Sequence, residues 1–126
     1  MLNLLFSFDG RVNRARFWLV HIGVAVAQSV VFGAVVGEAI MAGDHMAARE
    51  AIGSGTAIVL LIVSIAFVCV SLAVGVKRFH DRGKSGWWVL IVLVPVIGFP
   101  WYLIECGFLP GTSGPNAYGP DPLAAG

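Results

Sequence analysis

The chain has 126 residues, of which 58% are hydrophobic and only 12% charged, and its net charge is +1. Soluble domains carry about 25% charged residues, so this chain lacks the polar surface that water demands, and nothing in its net charge points to nucleic acid. Cys69 and Cys106 both lie inside apolar runs, with no CxxC or Cys/His spacing, which excludes a disulfide framework and a cysteine metal site.

In chain order, the first apolar block runs from Phe17 to about Ala42 and is interrupted only by His21, Gln28 and Glu38. It is longer than the hydrophobic region of a cleavable signal. The second runs from Gly55 to Val76 without a charge, and the third from Trp87 to Leu109, with Glu105 near its end. At 1.5 Å per residue each covers roughly 30 Å, the thickness of a hydrocarbon core. Backbone amides in lipid must be paired internally, so each block is expected to be helical. The expected fold is therefore an all-α membrane protein, a single polytopic domain over 1–126. Its three transmembrane helices fall at about 14–42, 55–81 and 86–109, and a turn-rich tail follows at 110–126.

Residues at the boundaries support this division. Asn13 suits the cap of helix one, Ser54 or Thr56 that of helix two, and Ser85 that of helix three. Gly83 offers a left-handed stop after Asp81. Pro95, Gly98 and Pro100 interrupt the third block, which predicts a kink, with a re-entrant hairpin as the alternative. The tail carries four prolines and four glycines and reads as a chain of turns.

Lys and Arg set the expected orientation. Arg11, Arg14 and Arg16 precede the first block, Arg49 alone lies in the first loop, and Lys77, Arg78, Arg82 and Lys84 lie in the second. Seven cations against one place the N-terminus and second loop in the cytoplasm. Three crossings then put the tail and Glu105 on the outer side. Gln28 and Ser64 fall at similar depth and are expected to share a hydrogen bond. Small residues on helix one (Gly23, Ala27, Gly33, Gly37) and helix two (Ser64, Ser71, Gly75) are expected to pack against each other, and Gly33-xxx-Gly37 is a candidate contact for a second copy.

Three motifs stand out together: Phe8-Asp9-Gly10-Arg11-Val12-Asn13-Arg14-Ala15-Arg16-Phe17-Trp18, Lys77 to Trp88, and Gly111 to Pro122. Their order and spacing resemble the bacterial inner-membrane family called domain of unknown function 805, over nearly the whole chain. One departure is Lys77, which stands where the family often has a second Arg and keeps the charge without the bidentate fork. The resemblance implies a multi-pass inner-membrane protein and no activity.

The candidate site is basic. Arg11, Arg14, Lys77, Arg78, His80, Arg82 and Lys84 gather at one membrane face. One reading is that these residues fix topology and snorkel to the interface. The functional reading is an anionic headgroup site, because Arg forks bind phosphate oxygens and cations gain from an anionic leaflet. Asp81 is expected to make a structural ion pair with Lys77, Arg11 or Arg14. Asn116, Tyr118 and Asp121 form a tail motif too specific for a mere ending, yet Asp121 reaches an Arg of the clusters only if the tail is cytoplasmic. His21 is expected to hydrogen-bond near the interface. No nucleophile, metal or cofactor set accompanies His80-Asp81, so no enzyme activity is expected. The expected role is a non-enzymatic interaction or lipid-associated protein, its partners the bilayer, an anionic phospholipid and a further copy or another protein. An oligomeric channel or transporter component is the alternative.

Overall fold

The computed structural model describes residues 5–37, 41, 43–53 and 55–124. Glu38, the expected end of helix one at Ala42 and the Ser54 cap lie outside them. Helix α1 covers Arg14–Phe32 and continues as a π-helical turn over Gly33–Gly37. Its start follows from Asn13, whose side-chain oxygen accepts the Arg16 N–H at 2.9 Å. Helix α2 is a short element at His45–Gly53. Asp44 opens it by accepting the Ala47 N–H at 2.9 Å. Helix α3 covers Gly55–Asp81. It stops in a Schellman turn: Gly83 has φ +70°, its N–H bonds the His80 carbonyl, and the Lys84 N–H bonds the Phe79 carbonyl, both at 2.9 Å.

Arg14–Gly37 and Gly55–Asp81 are long and apolar enough to cross a membrane. Leu19, Ile22, Val26 and Val30 on the first, and Ile58, Leu61, Ile62 and Ile65 on the second, are exposed. Apolar rows of this extent suit lipid rather than water.

The third apolar block departs from the expected helix. Gly86–Leu93 is a 3-10 helix, residues 94–97 turn, and Gly98–Leu103 forms helix α4, which continues as a π-helical turn over Ile104–Phe108. The block is a hairpin, because Lys84 before it and Glu105 near its end are ion-paired. Of the two expected shapes, the chain takes the hairpin and does not continue as one kinked helix. Eight residues at about 2.0 Å and the eleven returning at about 1.5 Å give limbs of roughly 16 Å each, about half a hydrocarbon core. The residues at the turn suit it. Pro95 lacks an N–H, Val96 takes φ +70°, and Gly98 sits so close to the Ile91 carbonyl that no Cβ fits there. Pro100 lies in the first turn of α4, where its missing donor is not needed.

The described residues form two compact units. One comprises 22–69. Within it Gln28 donates to Ser64 Oγ at 3.0 Å, as expected for two polar groups at one depth. The expected packing of small residues differs: a Cβ at Gly23, Gly33 or Gly37 would meet nothing within 4 Å.

The other unit comprises 1–21 with 70–126. Its core joins Val12, Phe17, Val74, Phe79, Val89, Tyr102 and Cys106. Gly75 admits the ring of Tyr102, whose Oη lies 2.6 Å from where a Cβ would stand. Tyr102 Oη in turn donates to His21 Nε2 at 3.2 Å, since the Phe17 carbonyl, 2.9 Å from Nδ1, takes the ring's proton on that side. His21 is thus a hydrogen-bonding residue, as expected.

Candidate functional site

At the end of α3 the chain gathers the first motif, the second motif and the tail. The tail covers the helix end. Thr112 N–H and Oγ1–H both donate to the Asp81 carbonyl, at 2.8 and 2.9 Å, and Asn116 Nδ2 donates to the His80 carbonyl at 2.9 Å. The Asp81 carbonyl is one that a helix terminus leaves without a backbone partner of its own, and the His80 carbonyl takes Asn116 in addition to the Gly83 N–H. Gly111 makes the approach possible, because a Cβ there would run into the Asp81 carboxylate. Tyr118 stacks on the His80 ring at 4.0 Å and 3°. Asp121 binds the Gly114 and Leu123 N–H groups, at 3.0 and 2.9 Å, and folds the tail on itself; these bonds hold its carboxyl below the usual range.

Arg11 ties that tail down. Its guanidinium donates to Asp81 Oδ1 at 3.0 Å and to the Thr112, Gly114 and Gly119 carbonyls at 2.6, 2.6 and 3.2 Å. The three-crossing topology required the tail and this basic cluster to lie on opposite sides, and the structure brings them together. The contact runs through backbone carbonyls rather than through Asp121, the residue the sequence suggested.

The basic cluster also closes the returning limb of the hairpin. Arg78 Nε donates to the Cys106 carbonyl at 2.7 Å, Trp18 Nε1 to Gly107 at 3.0 Å and Arg14 to Phe108 at 3.0 Å. Arg78 Nη2 then reaches the Leu109 carbonyl, and Arg82 the Pro110 carbonyl at 2.6 Å. Five successive carbonyls, 106–110, are each met by a side chain from another segment. Two helix C-termini converge here, each the negative end of a macrodipole, and cations there are favourable. This accounts for an excess of Arg and Lys over the two buried carboxylates, Asp81 and Glu105.

Both carboxylates are buried and doubly paired. Asp81 bridges Arg11 and Arg78, with the two Arg side chains 1% and 0% exposed. The sequence placed Arg11 among its partners and missed Arg78. Glu105 bridges Arg82 and Lys84, so its expected place at the opposite boundary is not found. Burial alone would raise the Glu105 carboxyl, but hydrogen bonds from Lys84 and Arg82 outweigh it and hold the group below its ordinary value. Lys84 also lies 5.3 Å above the Trp88 ring. Lys77 is buried, and Arg14 and Arg16 are exposed. Ser85 accepts from Trp87 N–H as the cap of the outgoing limb. Among the described residues no group of three His, Cys, Asp or Glu is arranged to hold a metal.

The chain matches the family described as "Protein of unknown function (DUF805)" over residues 5–120. It is 32% identical to the inner membrane protein YhaH of Escherichia coli K12, over 92% of this chain and 87% of that protein. It is 30% identical to the inner membrane protein YhaI of the same strain, over 92% and 86%, and 30% identical to the uncharacterized protein YiiR, over 93% and 86%. No solved structure matches. With two apolar helices, three interlocked motifs and these relatives, the chain belongs to the DUF805 family of membrane proteins.

Proposed function

We propose that this chain is a non-enzymatic interaction protein of the inner membrane that associates with anionic phospholipid at its basic rim, with N-terminus and tail together in the cytoplasm. The observation that carries the reading is the division of labour among the cations. Arg11 and Arg78 are sealed by backbone carbonyls and Asp81, and Arg82 and Lys84 are engaged with Glu105. Their donors serve the fold, so a headgroup site formed by Arg78 and Arg82 is set aside. Arg14, which also gives one N–H to the Phe108 carbonyl, and Arg16 are exposed on the first turn of α1 and engage neither buried carboxylate. A cation beside an anionic leaflet gains about 1 kcal/mol. Catalysis has no support in this geometry: His80 Nδ1 is bound to the Gly10 carbonyl at 3.2 Å, Cys106 is fully buried, and Ser85 is a cap. Gln28, the deepest polar group of α1 and the natural start of a transport pathway, is satisfied by Ser64.

The test is lipid retention by the purified full chain in a neutral detergent. Arg14→Gln with Arg16→Gln is expected to reduce phosphatidylglycerol retention about tenfold or more, two interfacial cations being worth roughly 2 kcal/mol. Retention equal to that of the unmodified chain would refute the rim.

A further inference from the structure

A cavity of about 510 Å³ opens beside His80, within the unit that joins the first motif to the end of α3 and the tail. Its volume lies inside the range of about 300–1,000 Å³ usual for ligand sites. Leu72, Val76 and Leu90 give it apolar walls, and Asp9, His80 and Ser85 give it a polar mouth. Lys84 is turned away to Glu105, and Lys77, buried on α3 and electrostatically coupled to Asp9, does not line the cavity, so Asp9 is the charged lining residue.

The mouth has a definite polarity. His80 Nδ1 faces the Gly10 carbonyl, which only accepts, so in the neutral ring the proton sits on Nδ1 and the lone pair on Nε2. Nε2 lies beside Gly86, another lining residue, 3.1 Å from where a Cβ would stand. Tyr118, stacked flat on the ring, fixes this orientation. The Asp9 carboxylate adds a second acceptor. A hydroxyl at Ser85 can donate to a phosphate oxygen.

We propose that this cavity binds a phospholipid with a primary ammonium headgroup, an ethanolamine phospholipid. Its ammonium donates to Asp9 and His80 Nε2, its phosphate accepts from Ser85, and an acyl chain lies along Leu72, Val76 and Leu90. Charge complementarity selects this occupant. An anionic headgroup without an ammonium would set negative charge against Asp9, and a quaternary ammonium has no N–H to donate to His80. The site is separate from the Arg14–Arg16 rim and stands or falls without it.

Native mass spectrometry of the purified full chain, offered phosphatidylethanolamine, phosphatidylcholine and phosphatidylglycerol in turn, tests the assignment. Phosphatidylethanolamine is expected to be retained most strongly. Asp9→Asn should weaken it about tenfold, the loss of one charge-assisted hydrogen bond, and leave phosphatidylglycerol unchanged. Leu90→Trp, which fills the cavity from a half-exposed wall position, should do the same without touching a charge. Arg14→Gln with Arg16→Gln should leave phosphatidylethanolamine retention as it was. Equal retention of the three lipids by the unmodified chain, or full retention of phosphatidylethanolamine by Asp9→Asn and Leu90→Trp, overturns the proposal.

Discussion

Arg78 shows how a residue that reads as a membrane-surface charge becomes a core group. Its side chain is fully buried, yet it meets two carbonyls and one carboxylate. An arginine is suited to this because its planar fork carries five donors and stays charged. Removing it leaves Asp81 with one partner and two carbonyls with none. Arg78→Ala is therefore expected to cost about 3–5 kcal/mol, the range for breaking a buried pair, against less than about 0.5 kcal/mol for exposed Arg16→Ala. Thermal unfolding in detergent, followed by circular dichroism, measures both. Arg78→Lys should recover only part of the loss, since an ammonium cannot span the Cys106 and Leu109 carbonyls as a fork does. Glu105 makes a pH-dependent contribution. Its folded pKa is depressed, so the stability it confers is fully present above its ordinary value and is lost as pH falls through the folded pKa. Unfolding temperature measured from pH 6 down toward pH 3 should fall less steeply for Glu105→Gln than for the unmodified chain.

Among the elements, the re-entrant hairpin is the one that composition alone left open. Its apolar content is that of a crossing helix, and its length allows one. The decision rests on Pro95, Val96 and Gly98, which reverse the chain, and on the capping of carbonyls 106–110, which holds the returning limb in place. Non-helical backbone at membrane depth is tolerated only where protein satisfies it, and here the Arg and Trp side chains do so. Val96 is a β-branched residue in the left-handed region, where L-residues lose about 1–2 kcal/mol. Val96→Gly removes that strain at an entropic penalty of about 0.5–1 kcal/mol, so a net gain of a few tenths to about 1 kcal/mol is expected in the same unfolding assay. Helix α3, by contrast, was readable from the sequence at its C-terminal end, because its apolar run is uninterrupted and Gly83 ends it in the manner its residue type allows.

For the whole molecule, the hairpin changes the parity of the topology. In the topology we propose, two crossings place the tail on the side of the N-terminus, in keeping with the bonds from Arg11 to Thr112, Gly114 and Gly119. In a chain carrying Cys69→Ser and Cys106→Ala, a Ser113→Cys probe is expected to resist a membrane-impermeant maleimide in intact cells and to react after permeabilisation, since Ser113 is exposed. Labelling of intact cells would contradict cytoplasmic placement. The sequence by itself determined the solvent of this protein, the presence of its two long apolar helices, the family motifs and the gathering of cations in two segments. Those properties follow from local composition and from the obligation to pair backbone groups in lipid. Only the tertiary structure decided that the third block returns, that Glu105 meets Arg82 and Lys84, and that the tail caps α3. The physical reason is that these depend on which distant donors reach which unpaired carbonyls, and neither periodicity nor charge counting encodes that pairing.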